Sequence, residues 1–203
     1  MKTIKTMMMA VIALMAVLAS CASSGGGGGG GDARGALGVW TFADASADVQ
    51  GWWLSTAENY KYKAPAKLSH DSATLGKGLL RLDVDFTNNI EDDWADIKIV
   101  YDFPKMLNMK GKTRFTFDFY YNPAFRSDGG FKPMVWCNNN GLAINFTGES
   151  IEGGEDAGEG FLKQKGEVLI MPTSGFMPDM RFIIAGNFTD YKGPVFFDNM
   201  RWE

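Results

Sequence analysis

Two stretches of strict alternation restrict this chain more than anything else in it. Leu80, Leu82, Val84 and Phe86 alternate with Arg81, Asp83 and Asp85; Phe115, Phe117, Phe119 and Tyr121 alternate with Arg114, Thr116, Asp118 and Tyr120. A period of two sends every second side chain to one face of an extended strand, so each stretch predicts a β-strand with one buried face. Further strand candidates lie at 39–42, 96–103, 134–137, 142–146, 167–171, 181–185 and 195–202, separated by clusters of Gly, Pro, Asn and Asp. Beyond the first twenty residues no run of helical period lasts three turns. Many short strands with turn signals between them predict an all-β fold, an antiparallel β-sandwich of the jelly-roll kind. Two segments stand outside the pattern: 64–77, and the acidic, glycine-rich 148–160, which reads as a solvated loop.

The beginning of the chain is of another character. Lys2 and Lys5 precede an apolar run from Met7 to Leu18 that is too short for a stop-transfer span, so residues 1–20 read as a signal peptide. Leu18-Ala19-Ser20-Cys21 resembles the bacterial lipobox, which implies lipidation of Cys21. Ala22 after that cysteine implies sorting to the outer membrane, so the expected location is the bacterial cell envelope. Residues 21–36 then form a tether that includes seven consecutive glycines, a flexible coil by composition. Residues 37–203 are left for one folded domain.

Charge and cysteines remove several functions. The formal charge of −4 becomes −6 when Lys2 and Lys5 leave with the signal, and an acidic surface disfavours nucleic acid. With Cys21 lipidated only Cys137 remains, read as a small buried apolar residue, so no intramolecular disulfide is expected. His70, the single histidine, has Asp71 and Ser72 beside it, but sequence neighbours do not make a triad; it reads as a surface loop residue, and no Gly-x-Ser-x-Gly elbow occurs. Phosphate-loop, dinucleotide and His/Cys metal motifs are also missing from the sequence. A small glycoside hydrolase stays open as an alternative, since 24 acidic residues offer carboxylate pairs without selecting one.

The tryptophans are more informative. Trp52 and Trp53 are adjacent, so on an extended strand one faces the core and the other faces out. Trp94 lies in the acidic stretch 88–96, read as a loop that holds the indole toward solvent, and Trp136 precedes Asn138-Asn139-Asn140. An exposed indole offers a flat apolar platform to the C–H face of a sugar ring, while neighbouring Asn, Asp, Lys and Arg exchange hydrogen bonds with hydroxyls. Trp53, Trp94 and Trp136 are therefore the candidate polysaccharide-binding residues, and Trp40 and Trp202 the core ones.

The order Thr41-Phe42, Gly51-Trp52-Trp53, Gly76-Lys77-Gly78-Leu79-Leu80-Arg81-Leu82-Asp83-Val84, Asp93-Trp94-Ala95-Asp96-Ile97, Lys132-Pro133 and Tyr191-Lys192-Gly193-Pro194-Val195-Phe196-Phe197-Asp198-Asn199-Met200-Arg201 resembles the mannan-binding carbohydrate-binding modules of family 27. That resemblance implies a galactose-binding-domain-like sandwich that holds β-1,4-mannan or mannooligosaccharides without catalysis. Trp53 and Trp94 match its platform tryptophans, and Trp52 becomes the inward member of the pair. The family's third platform follows an Asn-Pro-Gly turn; here Asn139-Asn140-Gly141-Leu142 stands there, with Trp136 nearby. A structural calcium is implied too, with Asp198 as its carboxylate. The expected partners are a mannan-type polysaccharide, a membrane reached through the lipid, and separately encoded glycoside hydrolases. A structural or assembly lipoprotein holding a protein partner is the alternative reading.

Overall fold

The two alternating stretches become strands of one sheet: β4 is Leu79–Asp85 and β6 is Arg114–Tyr121. The computed structural model describes residues 35–43, 48–55, 63–87, 94–125, 131–139, 142–147, 153–171, 175–187 and 189–203. Among these the larger sheet runs in the order β3 (Ala66–Asp71), β4, β12 (Lys192–Trp202), β6, β10 (Phe161–Leu169), β9 (Glu155–Gly158), with β1 (Val39–Trp40) beside the end of β12. The smaller sheet runs β2 (Trp52–Leu54), β5 (Trp94–Asn108), β11 (Phe176–Asn187), β7 (Phe131–Asn139), β8 (Leu142–Thr147). Every named pairing is antiparallel, and the described residues contain no α-helix. The expected β-sandwich is the fold.

The alternation sends Phe115, Phe117, Phe119 and Tyr121 between the sheets, where Phe117 meets Phe182 of the facing sheet at 4.8 Å between ring centroids. Leu80, Leu82, Val84, Val195, Phe197, Ile97, Ile99 and Ile184 fill the rest of the layer. Trp40 closes one end, edge-on to Trp52 at 5.0 Å and to Tyr101 at 4.8 Å. Each such ring withdraws a large apolar area from water, which stabilises by roughly 1.5–3 kcal/mol for a fully buried side chain.

Three expectations change. The stretch 88–96 does not end as a loop: Trp94 opens β5 and is paired with Asn187, while 88–93 lie outside the described residues. Segment 64–77 carries β3, whose alternation is weak because its inward positions are small or polar, yet Ala66 and Leu68 pack on the core. His70 therefore sits on a strand, half-buried, with Nε2 3.0 Å from the Phe42 carbonyl oxygen. Within 148–160, Glu155–Gly158 pairs with β10 as an edge strand. The hairpin between them turns on Glu159 and Gly160 at φ +52° and +80°, a two-residue turn with positive φ at both positions. Glutamate in place of the usual Asn or Asp hid that turn.

The face of the smaller sheet as candidate functional site

Register across the smaller sheet assembles the site. Trp53 pairs with Val100, Val100 with Arg181, Arg181 with Trp136, and Trp136 with Asn145, one continuous row over five strands. Directly opposed residues share a face. The face in question is the outer one, because Trp52, Ile99, Tyr101, Met180, Phe182 and Val135, one position away on their strands, are all in the core. Trp52 is 2% exposed and Trp53 is 41% exposed, so the pair divides as expected.

The polar neighbours fix the indoles. Trp53 donates its Nε1–H to Asp102 Oδ2 at 2.9 Å, which sets the plane of the ring. The Arg181 guanidinium lies 4.4 Å from the Trp136 ring centroid, a cation–π contact that covers part of that indole. Val100 is 3% exposed although it points outward, because Trp53 and Arg181 flank it on both sides. Asp102 and Asp179 are directly opposed on β5 and β11. Burial pushes the Asp179 carboxyl up from its ordinary value, the Asp102 charge adds to this, and Arg181 offsets part of it. Lys98, opposite Ile183, continues the same face. The result is an apolar floor with indoles at two positions and acceptors and donors between them, suited to a chain of hydroxyl-bearing rings.

At about 4.8 Å per strand, the three strand steps from Trp53 to Trp136 span roughly 14 Å. Position 94 has the same register parity as Val100 but lies six residues along β5, about 20 Å away at 3.3 Å per residue; its side chain is outside the described residues. Trp53 and Trp136 are thus brought into one row, and position 94 is not. Arg181, Asp102, Asp179 and Lys98 were missed by sequence reasoning. Their signal was present: Asp96, Lys98 and Asp102 interrupt an apolar stretch at alternate positions, with only Val100 breaking the series, and Arg181 precedes the run Phe182-Ile183-Ile184.

Residues 36–202 match the family described as carbohydrate binding module 27. The chain belongs to that family. Carbohydrate binding, without catalysis, is the function class this membership gives the module. Among solved structures it is similar to a module described as recognising mannan specifically, at 20% identity and TM-score 0.57, over 81% of this chain and 94% of that one. It is similar to the first family 27 module of Caldicellulosiruptor saccharolyticus, solved with mannohexaose, at 21% identity and TM-score 0.58, over 80% and 94%. A family 28 module specific for non-crystalline cellulose aligns at 19% identity and TM-score 0.57, over 80% and 92%. These likenesses show the sandwich fold. No curated protein matches the chain.

Elsewhere in the module the other candidate residues have settled roles. Trp40 and Trp202 are core, at 0% and 3% exposure. Asp71 accepts hydrogen bonds from the Ala73 and Thr74 backbone and from Arg81, so it does not orient His70 for catalysis. Asp102 and Asp179 stand side by side on a sheet face, whereas hydrolytic carboxylates flank the bond they cleave. The Asp198 site fits a divalent cation poorly. Its Oδ1 accepts from the backbone N–H groups of Phe42 and Asn199, and the Lys77 ammonium lies 3.6 Å from Oδ2. Among the described residues no three of His, Cys, Asp and Glu gather as a metal site.

Proposed function

We infer that the module captures β-1,4-mannan or mannooligosaccharides on the outer face of its smaller sheet. Trp53 is the principal platform, Trp136 with its Arg181 partner the second, and Asp102, Asp179 and Lys98 bond hydroxyls along the way. The glycan runs across the strands, following the row from β2 to β7. The observation carrying this reading is the alignment of Trp53, Val100, Arg181 and Trp136 in one outward-facing row. Family membership and the mannan-related neighbours support the choice of sugar. Acylation of Cys21 holds the module on the envelope, at the outer membrane, where the glycine tether lets it present captured glycan to separately encoded glycoside hydrolases.

Titration of the protein with mannohexaose tests the sugar reading. The expected result is saturable quenching or a binding isotherm, weakened roughly 30-fold or more, about 2 kcal/mol, by Trp53→Ala. Affinity unchanged by that substitution sinks the site. A protein partner that co-purifies while no glycan elicits a response favours the assembly-lipoprotein alternative instead.

A further inference from the structure

Five large apolar side chains stand exposed at one end of the sandwich: Leu37, Met106, Leu169, Met171 and Phe176, at 67, 62, 63, 77 and 53%. The other large apolar residue exposed among those described is Trp53, on the glycan face. The strand pairings and loop hydrogen bonds place all five at the same end, around the rims of both sheets. Phe176 opposes Asn108 where β5 and β11 end, and Leu169 opposes Arg114 where β10 and β6 end. The 3-10 turn carrying Leu37 packs on β5, and the next residue, Gly38, accepts a hydrogen bond from the Trp202 backbone. Met109 donates to Gly175 and Ile170 to Thr113, which ties the two connecting loops to the same end. Exposed Lys105 and Lys110 stand among these residues, and among the described residues neither forms an ion pair.

Apolar side chains scattered singly over a surface need no explanation, but a gathering of them does. Its position supplies one. The sequence that leads from Cys21 enters the sandwich at Gly35, beside Trp40 and Tyr101, on this same end. A glycine-rich coil of about 13 residues has a mean reach of roughly 20 Å. A lipid on Cys21 would hold this end nearer a bilayer than the opposite end, so even weak contacts there would be made at high effective concentration.

We propose that this end of the sandwich is a membrane-docking surface for anionic phospholipid. Met106, Met171 and Phe176 enter the interface between headgroups and acyl chains, and Lys105 and Lys110 meet lipid phosphate. The proposal rests on the anchoring reading above and adds an orientation to it. With this end down, the strands stand away from the membrane, and a glycan crossing them lies parallel to the surface rather than pointing at it.

The test uses the full-length lipoprotein with Cys137→Ala, so that one introduced thiol can carry a polarity-sensitive fluorophore. The thiol is placed by Met171→Cys, or by Lys192→Cys at the opposite end, where β12 begins opposite Asp85. Both proteins are reconstituted into phosphatidylglycerol–phosphatidylethanolamine vesicles containing spin-labelled lipid, and the mass of the Cys21 peptide reports acylation. Docking predicts a blue shift and quenching at 171 with neither at 192. Adding Met106→Asp and Phe176→Asp abolishes the response at 171 and leaves mannohexaose binding intact. Acylated protein whose two labels respond alike overturns the docking surface and leaves the anchor standing. An unmodified Cys21 overturns both. A label at 171 shielded by a co-purified protein, with no lipid quenching, also overturns it.

Discussion

Asp102 and Asp179 show what the site asks of single residues. Two carboxylates directly opposed on neighbouring strands repel each other, a cost on the order of 0.5 kcal/mol. Burial is the main reason the Asp179 carboxyl is raised, and the repulsion from Asp102 adds to it. Asp102 is held there by the hydrogen bond it accepts from the Trp53 indole N–H, whereas on the proposed glycan face Asp179 adds a second, adjacent acceptor. Asp179→Asn is therefore expected to raise Tm by about 1–2 °C at neutral pH while weakening mannohexaose binding, measured by thermal melts and calorimetry on the same preparation. Asp71 behaves in the opposite way. Burial pushes its carboxyl up, but the backbone N–H groups of Thr74 and Ala73 and the Arg81 guanidinium outweigh this and hold it at about 2. A depressed carboxylate contributes stability in full above its unfolded value near 3.8, and loses it as pH falls toward 2. After solvent screening the contribution is roughly 1 kcal/mol. Denaturant melts of Asp71→Asn should show lower stability than the parent at pH 6, with the difference shrinking as pH falls below 3.8 and through about 2.

At the scale of elements, glycines mark where strands and connections touch. A Cβ on Gly78 would overlap the Phe42 carbonyl oxygen and sit 3.0 Å from His70 Nε2. That carbonyl is the partner of the His70 ring, so movement of Phe42 also breaks a hydrogen bond. Gly78→Ala is expected to cost about 3 kcal/mol, lowering Tm by roughly 6–12 °C in a calorimetric scan. Elements also show how far the sequence could be read. Strands β4 and β6 were legible because their inward positions are uniformly large and apolar. Strand β3 was not, since Ala66, Leu68 and His70 make a poor apolar stripe, and β9 was hidden behind a Glu-Gly hairpin. The division of Trp52 and Trp53 followed from strand geometry alone. The row joining Trp53 to Arg181 and Trp136 could not follow from it, because register between β2, β5, β11 and β7 is set by pairings of residues up to about a hundred positions apart. Local pattern says which face a residue takes, not who stands beside it.

The molecule as a whole holds its two sheets together by a layer rich in aromatic side chains, and the question at this scale is whether anything besides packing is required. The resemblance to family 27 implies a calcium at the C-terminal carboxylate. Asp198 is in place, 5% exposed, but its charge is already answered by Lys77, whose ammonium also lies 4.3 Å from the Tyr120 ring centroid. We propose that Lys77 does here what a divalent cation would otherwise do, neutralising Asp198 where the first strand meets the last. The two possibilities differ measurably. A calcium present at a hundred times its Kd stabilises a fold by about 2.7 kcal/mol, which for a domain of this size is roughly 5–10 °C in Tm. If Lys77 is the counter-charge, Tm in EDTA equals Tm in millimolar calcium, and Lys77→Met lowers both by leaving a buried carboxylate without a cation. A calcium-dependent rise of the size just given, in the parent protein, would return the role to the metal and make Lys77 a bystander.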